Sequence, residues 1–174
     1  GVTDDTAAIQ AALDTNRLVD VPPGKYRTTS NLVIDPIRNR GCGLIGSVSP
    51  STYPSTTQTG GPTWDGTDES VIFYDGATGS TTAVIAISSE AVGTEPASTF
   101  DATVWGFTLK NITINGNGKA NYGFYSARLQ NPDIKHCIIT GCVADGWYIN
   151  GTYSGIFESI TAFKHKGRGI SIGA

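Results

Sequence analysis

Glycine recurs at Gly123, Gly146 and Gly169 inside three related segments, "NYGFYS", "ADGWYI" and "GRGISI", at intervals of 23 residues. A second set, "LKNITI", "IKHCII" and "FESITA", begins at Leu109, Ile134 and Phe157, at intervals of 25 and then 23, so the first unit carries two extra residues. A fixed period in this range marks stacked repeats, each too small to bury its apolar face alone. Each unit holds two short runs of alternating apolar and polar residues and no helical stripe. Such units predict an all-β parallel β-helix, a solenoid in which every coil pairs with the next at about 4.8 Å.

The period assigns faces. Leu109, Ile134 and Phe157 make one inward column, and Ile112, Cys137 and Ile160 a second. Ile114, Ile139 and Ala162 make a third, and Phe124, Trp147 and Ile170 a fourth. Asn111, His136 and Ser159 fall between two inward columns, where the backbone has to bend. Lys110, Lys135 and Glu158 point outward, as do Tyr125, Tyr148 and Ser171. Ser126 interrupts the column that continues as Ile149 and Ile172.

The first residues follow a different period. Ala8, Ile9, Ala12 and Leu13 form one apolar stripe, which predicts a short capping α-helix over 4–16. Thr3 or Asp4 can accept from the free N–H groups of the first turn, and Asp4 and Asp5 sit where the helix dipole favours negative charge. That reading is preferred to a catalytic or metal-binding pair. It makes Ile9→Asp several times more destabilising than Asp5→Asn. "VDVPPGKYRT" reads as strand, turn and strand, and "GCGLIG", "SVIFYD" and "TAVIAI" as further strands. Two excursions separate these runs; the longer carries Tyr53 and Trp64. The expected organisation is a capping helix and first strand over 1–20, irregular early coils with long loops over 21–104, and regular coils over 105–174. A chain that starts at Gly1 and ends on "GISIGA", inside a strand pattern, is expected to be part of a longer one.

Composition supports short strands and tight turns: only 16% of residues are charged, and there are 22 Gly and no Met. A net charge of -3 and a pI of about 5.2 leave no basic footprint for nucleic acid. No apolar run reaches the roughly 18 residues that cross a bilayer. Neither a nucleic-acid nor a membrane partner is expected. Cys42, Cys137 and Cys142 fit neither a disulfide framework nor a four-ligand zinc site, and no metal or other cofactor is expected.

"GVTDDTAAIQAAL" followed by "VDVPPGKYRT" resembles the opening of the pectate-lyase-like parallel β-helix proteins, and most of all tailspike and capsule-depolymerase proteins of bacteriophages. The resemblance covers about the first 30 residues. It implies a right-handed coil whose N-terminal end the short helix closes. It also implies a polysaccharide substrate, and a site on the side of the coil or between the subunits of a trimer. The family includes lyases, glycoside hydrolases and proteins that only bind, and no residue here matches one of its catalytic motifs.

The residues themselves offer three candidate constellations. Glycoside hydrolysis takes two carboxyls, roughly 5–5.5 Å apart for retention or 6.5–9.5 Å for inversion. Asp145 and Glu158 are the candidate acids, although Glu158 has Lys135 beside it and Asp145 suits the turn before Gly146. Elimination on an acidic sugar takes a base and a cation, and "FKHKGR" supplies Lys164, His165, Lys166 and Arg168. Tyr125 and Tyr148, on adjacent coils, suit stacking on sugar rings. The substrate-binding set expected from the sequence is Tyr125, Tyr148, Lys164, Arg168 and Trp64.

The expected function is a phage tailspike-type protein that binds and depolymerises a bacterial surface polysaccharide, by hydrolysis or β-elimination. It is expected to be a homotrimer, extracellular or on a virion tail. A secreted non-phage enzyme of the same fold and a non-catalytic adhesion or assembly segment are the alternatives.

Overall fold

The computed structural model describes residues 3–15, 17–34, 41–50, 69–87, 104–126 and 128–173. Helix α1 (Thr6–Leu13) leads into β1 (Leu18–Val21), β2 (Gly24–Thr28) and β3 (Leu32–Ile34). Then come β4 (Gly43–Gly46), β5 (Ser70–Tyr74), β6 (Ala83–Ile87) and β7 (Val104–Trp105). The next turn of chain gives β8 (Thr108–Lys110), β9 (Ile112–Asn115), β10 (Tyr122–Ser126) and β11 (Leu129–Gln130). The last strands are β12 (Asp133–Thr140), β13 (Trp147–Asn150), β14 (Thr152–Tyr153), β15 (Ile156–Phe163) and β16 (Ile170–Gly173).

Three parallel sheets result. The largest holds β1, β4, β8, β12, β9, β5 and β2 in that order, with β15 added on β12. The second runs β16-β13-β10-β6-β3 and the third β14-β11-β7. The chain visits the sheets in turn and pairs with its own previous pass. The large sheet curls because β12 pairs with β8 through Ile134 and with β9 through Ile139. Its corner is one residue wide. Asn111, His136 and Ser159 take φ of 56°, 52° and 52°, the left-handed region that turns a strand without a loop. These are the three residues expected at the bend.

The predicted columns hold in register. Leu109, Ile134 and Phe157 align, as do Ile114, Ile139 and Ala162, and Phe124, Trp147 and Ile170. The early coils continue them: Leu44 stands beside Leu109, Ile72 beside Ile114, Ile85 beside Phe124, and Leu32 beside Ile85. Ring contacts fill the centre, with Phe124 5.3 Å from Trp147 and 6.0 Å from Phe107. Two of the three repeating glycines are explained by what lies beneath them. A Cβ on Gly123 would meet Ile139 Cγ2 at 2.2 Å, and one on Gly146 would meet His165 Nε2 at 2.6 Å. In the last coil, Phe157, Ile160 and Ala162 are only half-buried, and Ile170 and Ile172 are exposed.

Helix α1 is shorter than the expected 4–16, and its two aspartates do different work. The Asp4 carboxylate accepts from the Thr6 N–H at 3.0 Å and from the hydroxyls of Thr6 and Thr29. Those bonds hold its pKa down at about 2. Asp5 bonds to β2 on both sides: its N–H donates to the Arg27 carbonyl and its carboxylate accepts the Arg27 N–H. Asp5 is therefore a strand anchor as well as a helix start, which corrects the expectation that it acts through the dipole alone. Leu13 is fully buried in the core and Ile9 half-buried against it. Gln10 exchanges two 2.8 Å bonds with the backbone of Val33, so the helix satisfies peptide groups of the edge strand β3.

Candidate functional site

The sheet of β10, β13 and β16 gathers several of the predicted site residues on its outer side. Tyr125, Tyr148 and Ser171 are register neighbours on successive coils. The Tyr125 and Tyr148 rings stack at 5.0 Å, only 4° from parallel. Tyr122 closes the cluster, 5.4 Å from Tyr125 and 5.5 Å from Tyr148. Burial, with the nearby Asp145 and Tyr148, pushes the Tyr122 phenol up from its ordinary range. Tyr125 is only 3% exposed, so its ring supports Tyr148 and offers no open face; that corrects the expectation of two exposed tyrosines. Tyr148 is half-buried and keeps part of its surface.

Asp145 and Arg168 meet at the start of these strands. The Asp145 carboxylate accepts the Arg168 backbone N–H at 2.7 Å, which fixes the turn before β16. The exposed Arg168 side chain reaches Ser171, with Nη1 3.5 Å from Oγ. Arg168 therefore bonds to the register partner of Tyr148. Lys164 stands exposed at the corner after β15, with φ of 57°. His165 does not join its basic neighbours. Its Nδ1 accepts the Cys142 N–H at 3.2 Å, and its Nε2 is enclosed without a hydrogen-bond partner among the described residues. Burial pushes its pKa below the ordinary 6.5.

The two candidate acids are not brought together. Glu158 lies on β15 in the large sheet, 3.6 Å from Lys135, whereas Asp145 leads into β13 in the second sheet. Lys110, Lys135, Asp133 and Glu158 form an ion ladder across β8, β12 and β15. Asp75 is likewise committed, bridging Arg27 at 2.8 Å and Lys119 at 2.6 Å from neighbouring coils. Burial pushes the thiol of Cys42 up to about 11 and those of Cys137 and Cys142 to about 12, so none is a poised nucleophile. Among the described residues no group of three His, Cys, Asp or Glu is placed to hold a metal. Trp64 lies outside the described residues.

One feature went unread in the sequence. Trp105, Gln130 and Tyr153 are register neighbours on β7, β11 and β14. They follow the same spacing of 25 and then 23 residues as the strand repeats, so the signal was present.

The whole chain, residues 1–174, matches the model of the rhamnogalacturonase A/epimerase, pectate lyase-like family. The chain belongs to that family. Comparison with curated proteins and with solved structures gave no match. Membership of this pectate-lyase-like family points to an enzyme acting on polysaccharide, and the parallel sheets suit that assignment. No helix among the described residues is long and apolar enough to cross a membrane.

Proposed function

We propose that this chain winds as a right-handed parallel β-helix and degrades a polysaccharide held along its side, at the outer face of β10, β13 and β16. The observation that carries the reading is the grouping of Tyr148, Arg168 and Asp145 on two adjacent coils of one sheet. Tyr148 gives a flat face for a sugar ring, and Tyr125 and Tyr122 hold it in place. Arg168 supplies a charge for a sugar carboxylate, and Asp145 fixes the backbone that carries it. Lys164 adds a second cation at the neighbouring corner. A solenoid repeats such groups in a line, which suits an extended glycan.

The resemblance of residues 1–28 to phage tailspikes supports a homotrimeric depolymerase of bacterial capsule, O-antigen or exopolysaccharide, working outside the cell on a virion tail. A secreted enzyme of non-phage origin is the second reading, and the family description, which names a rhamnogalacturonase, favours it. Incubation with bacterial capsule and with rhamnogalacturonan separates the two. Hydrolysis raises reducing ends alone, while elimination also creates an unsaturated product that absorbs in the ultraviolet. Tyr148→Ala and Arg168→Ala should each weaken oligosaccharide binding about tenfold, and the arginine effect should shrink with added salt. Unchanged affinity in both folded variants would remove this face as the site.

A further inference from the structure

The outer side of the three-stranded sheet carries the column Trp105, Gln130 and Tyr153, which the site described above does not use. Trp105 is 40% and Tyr153 58% exposed, while Leu129, one residue before Gln130, is fully buried. The alternation places Leu129 inside and the column outside. The two aromatics flank a polar amide in one register column, and flat rings of this kind pack on the C–H faces of sugars. The column is also firmly held. Directly after it, Gly106, Asn131 and Ser154 take φ of 71°, 49° and 49°, a left-handed corner in each of three coils. The Trp105 carbonyl accepts the Gly41 N–H, that of Gln130 the Gly106 N–H, and that of Tyr153 the Asn131 N–H. The backbone beneath the side chains is thus already ordered, and binding there loses little conformational freedom.

We propose that this column is a second glycan-binding strip, on which an uncharged stretch of polysaccharide lies along the stacking direction. Trp105 and Tyr153 stand two coils apart, about 9.6 Å at 4.8 Å per coil. They present apolar faces to the C–H sides of two sugar rings, and the Gln130 amide between them bonds to hydroxyls. No ionised side chain belongs to the column, so the fitting ligand is a neutral segment, in contrast to the anionic segment suited to Arg168. The strip adjoins the first site: Tyr148 on β13 and Tyr153 on β14 are separated by the Gly151 corner, with φ of 58°. The strip rests on the polysaccharide reading, and its test is arranged to separate the two.

The full chain and its Trp105→Ala, Tyr153→Ala, Tyr148→Ala and Arg168→Ala variants are titrated on a glycan array of neutral and acidic oligosaccharides from plant and bacterial walls. Circular dichroism checks that each variant is folded. Trp105→Ala and Tyr153→Ala should each weaken binding by about three- to tenfold. The loss should not change with salt, because no charge is involved. Trp105→Phe should restore most of it. Unchanged binding in both aromatic variants, with losses at Tyr148 and Arg168, overturns the strip and leaves the first site standing. The opposite pattern keeps the strip and removes the first site. Dissociation of an oligomer by Trp105→Ala makes the column a subunit contact and overturns the proposal. A wild-type chain that retains no glycan overturns both.

Discussion

Ser126 sits between Ile87 and Ile149 in the inward column of the second sheet, fully buried. Its hydroxyl has no hydrogen-bond partner among the described residues. A buried hydroxyl left unpaired costs about 1–3 kcal/mol, and alanine removes it with almost no change in volume. Ser126→Ala should therefore raise stability by about 1 kcal/mol or more, read as a higher urea midpoint at unchanged slope. A lower midpoint would mean that the hydroxyl is satisfied in solution. His165 sets a pH dependence of definite sign. Its folded pKa lies below the ordinary 6.5 because it is buried, with the Ile139 backbone and then Asp145 opposing the shift. Below that pH the unfolded chain takes up the proton more readily than the folded one, so stability falls as pH drops through about 6.5. The urea midpoint should be lower at pH 5 than at pH 7.5, and His165→Asn should flatten that difference. The depressed carboxyls of Asp4, Asp75 and Asp133 act in a separate window, losing their stabilisation as pH falls below 3.8.

At the scale of the element, α1 gives the clearest test. Leu13 is sealed in the core, and Gln10 bonds to both peptide groups of Val33. Leu13→Ala should cost about 2–5 kcal/mol. Gln10→Ala should cost about 1 kcal/mol, because water can still reach the freed groups of β3. Thermal unfolding of the two variants checks the order; equal losses would mean that α1 acts only by covering the edge. This edge role was invisible in the sequence, since a glutamine on a helix says nothing about the strand it faces. The four predicted columns were legible because stacking forces the same side-chain class into one position in every coil. The same columns in the first coils were hidden, because long inserts between β4, β5 and β8 break the period while leaving the register intact. The third sheet escaped for another reason: its strands are two residues long, too short to show alternation. Burial of Tyr125 was equally unreadable. Outward facing is set by strand parity, whereas exposure depends on which neighbouring side chains close over the ring.

For the whole molecule, the stack predicts how the chain opens. Where parallel strands stack layer on layer, stability is close to a sum of layer terms and neighbour interfaces, so it need not be uniform. The last coil of the 174-residue chain exposes Ile156, Ile170 and Ile172 and half-buries Phe157, Ile160 and Ala162, and thus gains least from packing. The first coil is covered by α1 and tied down through Asp5 and Gln10. Opening of the 174-residue segment taken by itself should therefore begin at its C-terminal coils. The three cysteines report on it. Cys42 precedes β4 near the covered end, while Cys137 lies in β12 and Cys142 just after it, directly under β15 and His165. All three are buried with raised thiol pKa, so a maleimide at pH 7 reacts only where the coil has opened. Peptide mapping after labelling pulses across a urea series should show Cys137 and Cys142 modified at lower urea than Cys42. Seven register pairs between β12 and β15 work against this order. A single midpoint shared by all three thiols would mean that the continuous apolar columns couple the coils into one cooperative unit, with no fraying at the exposed end.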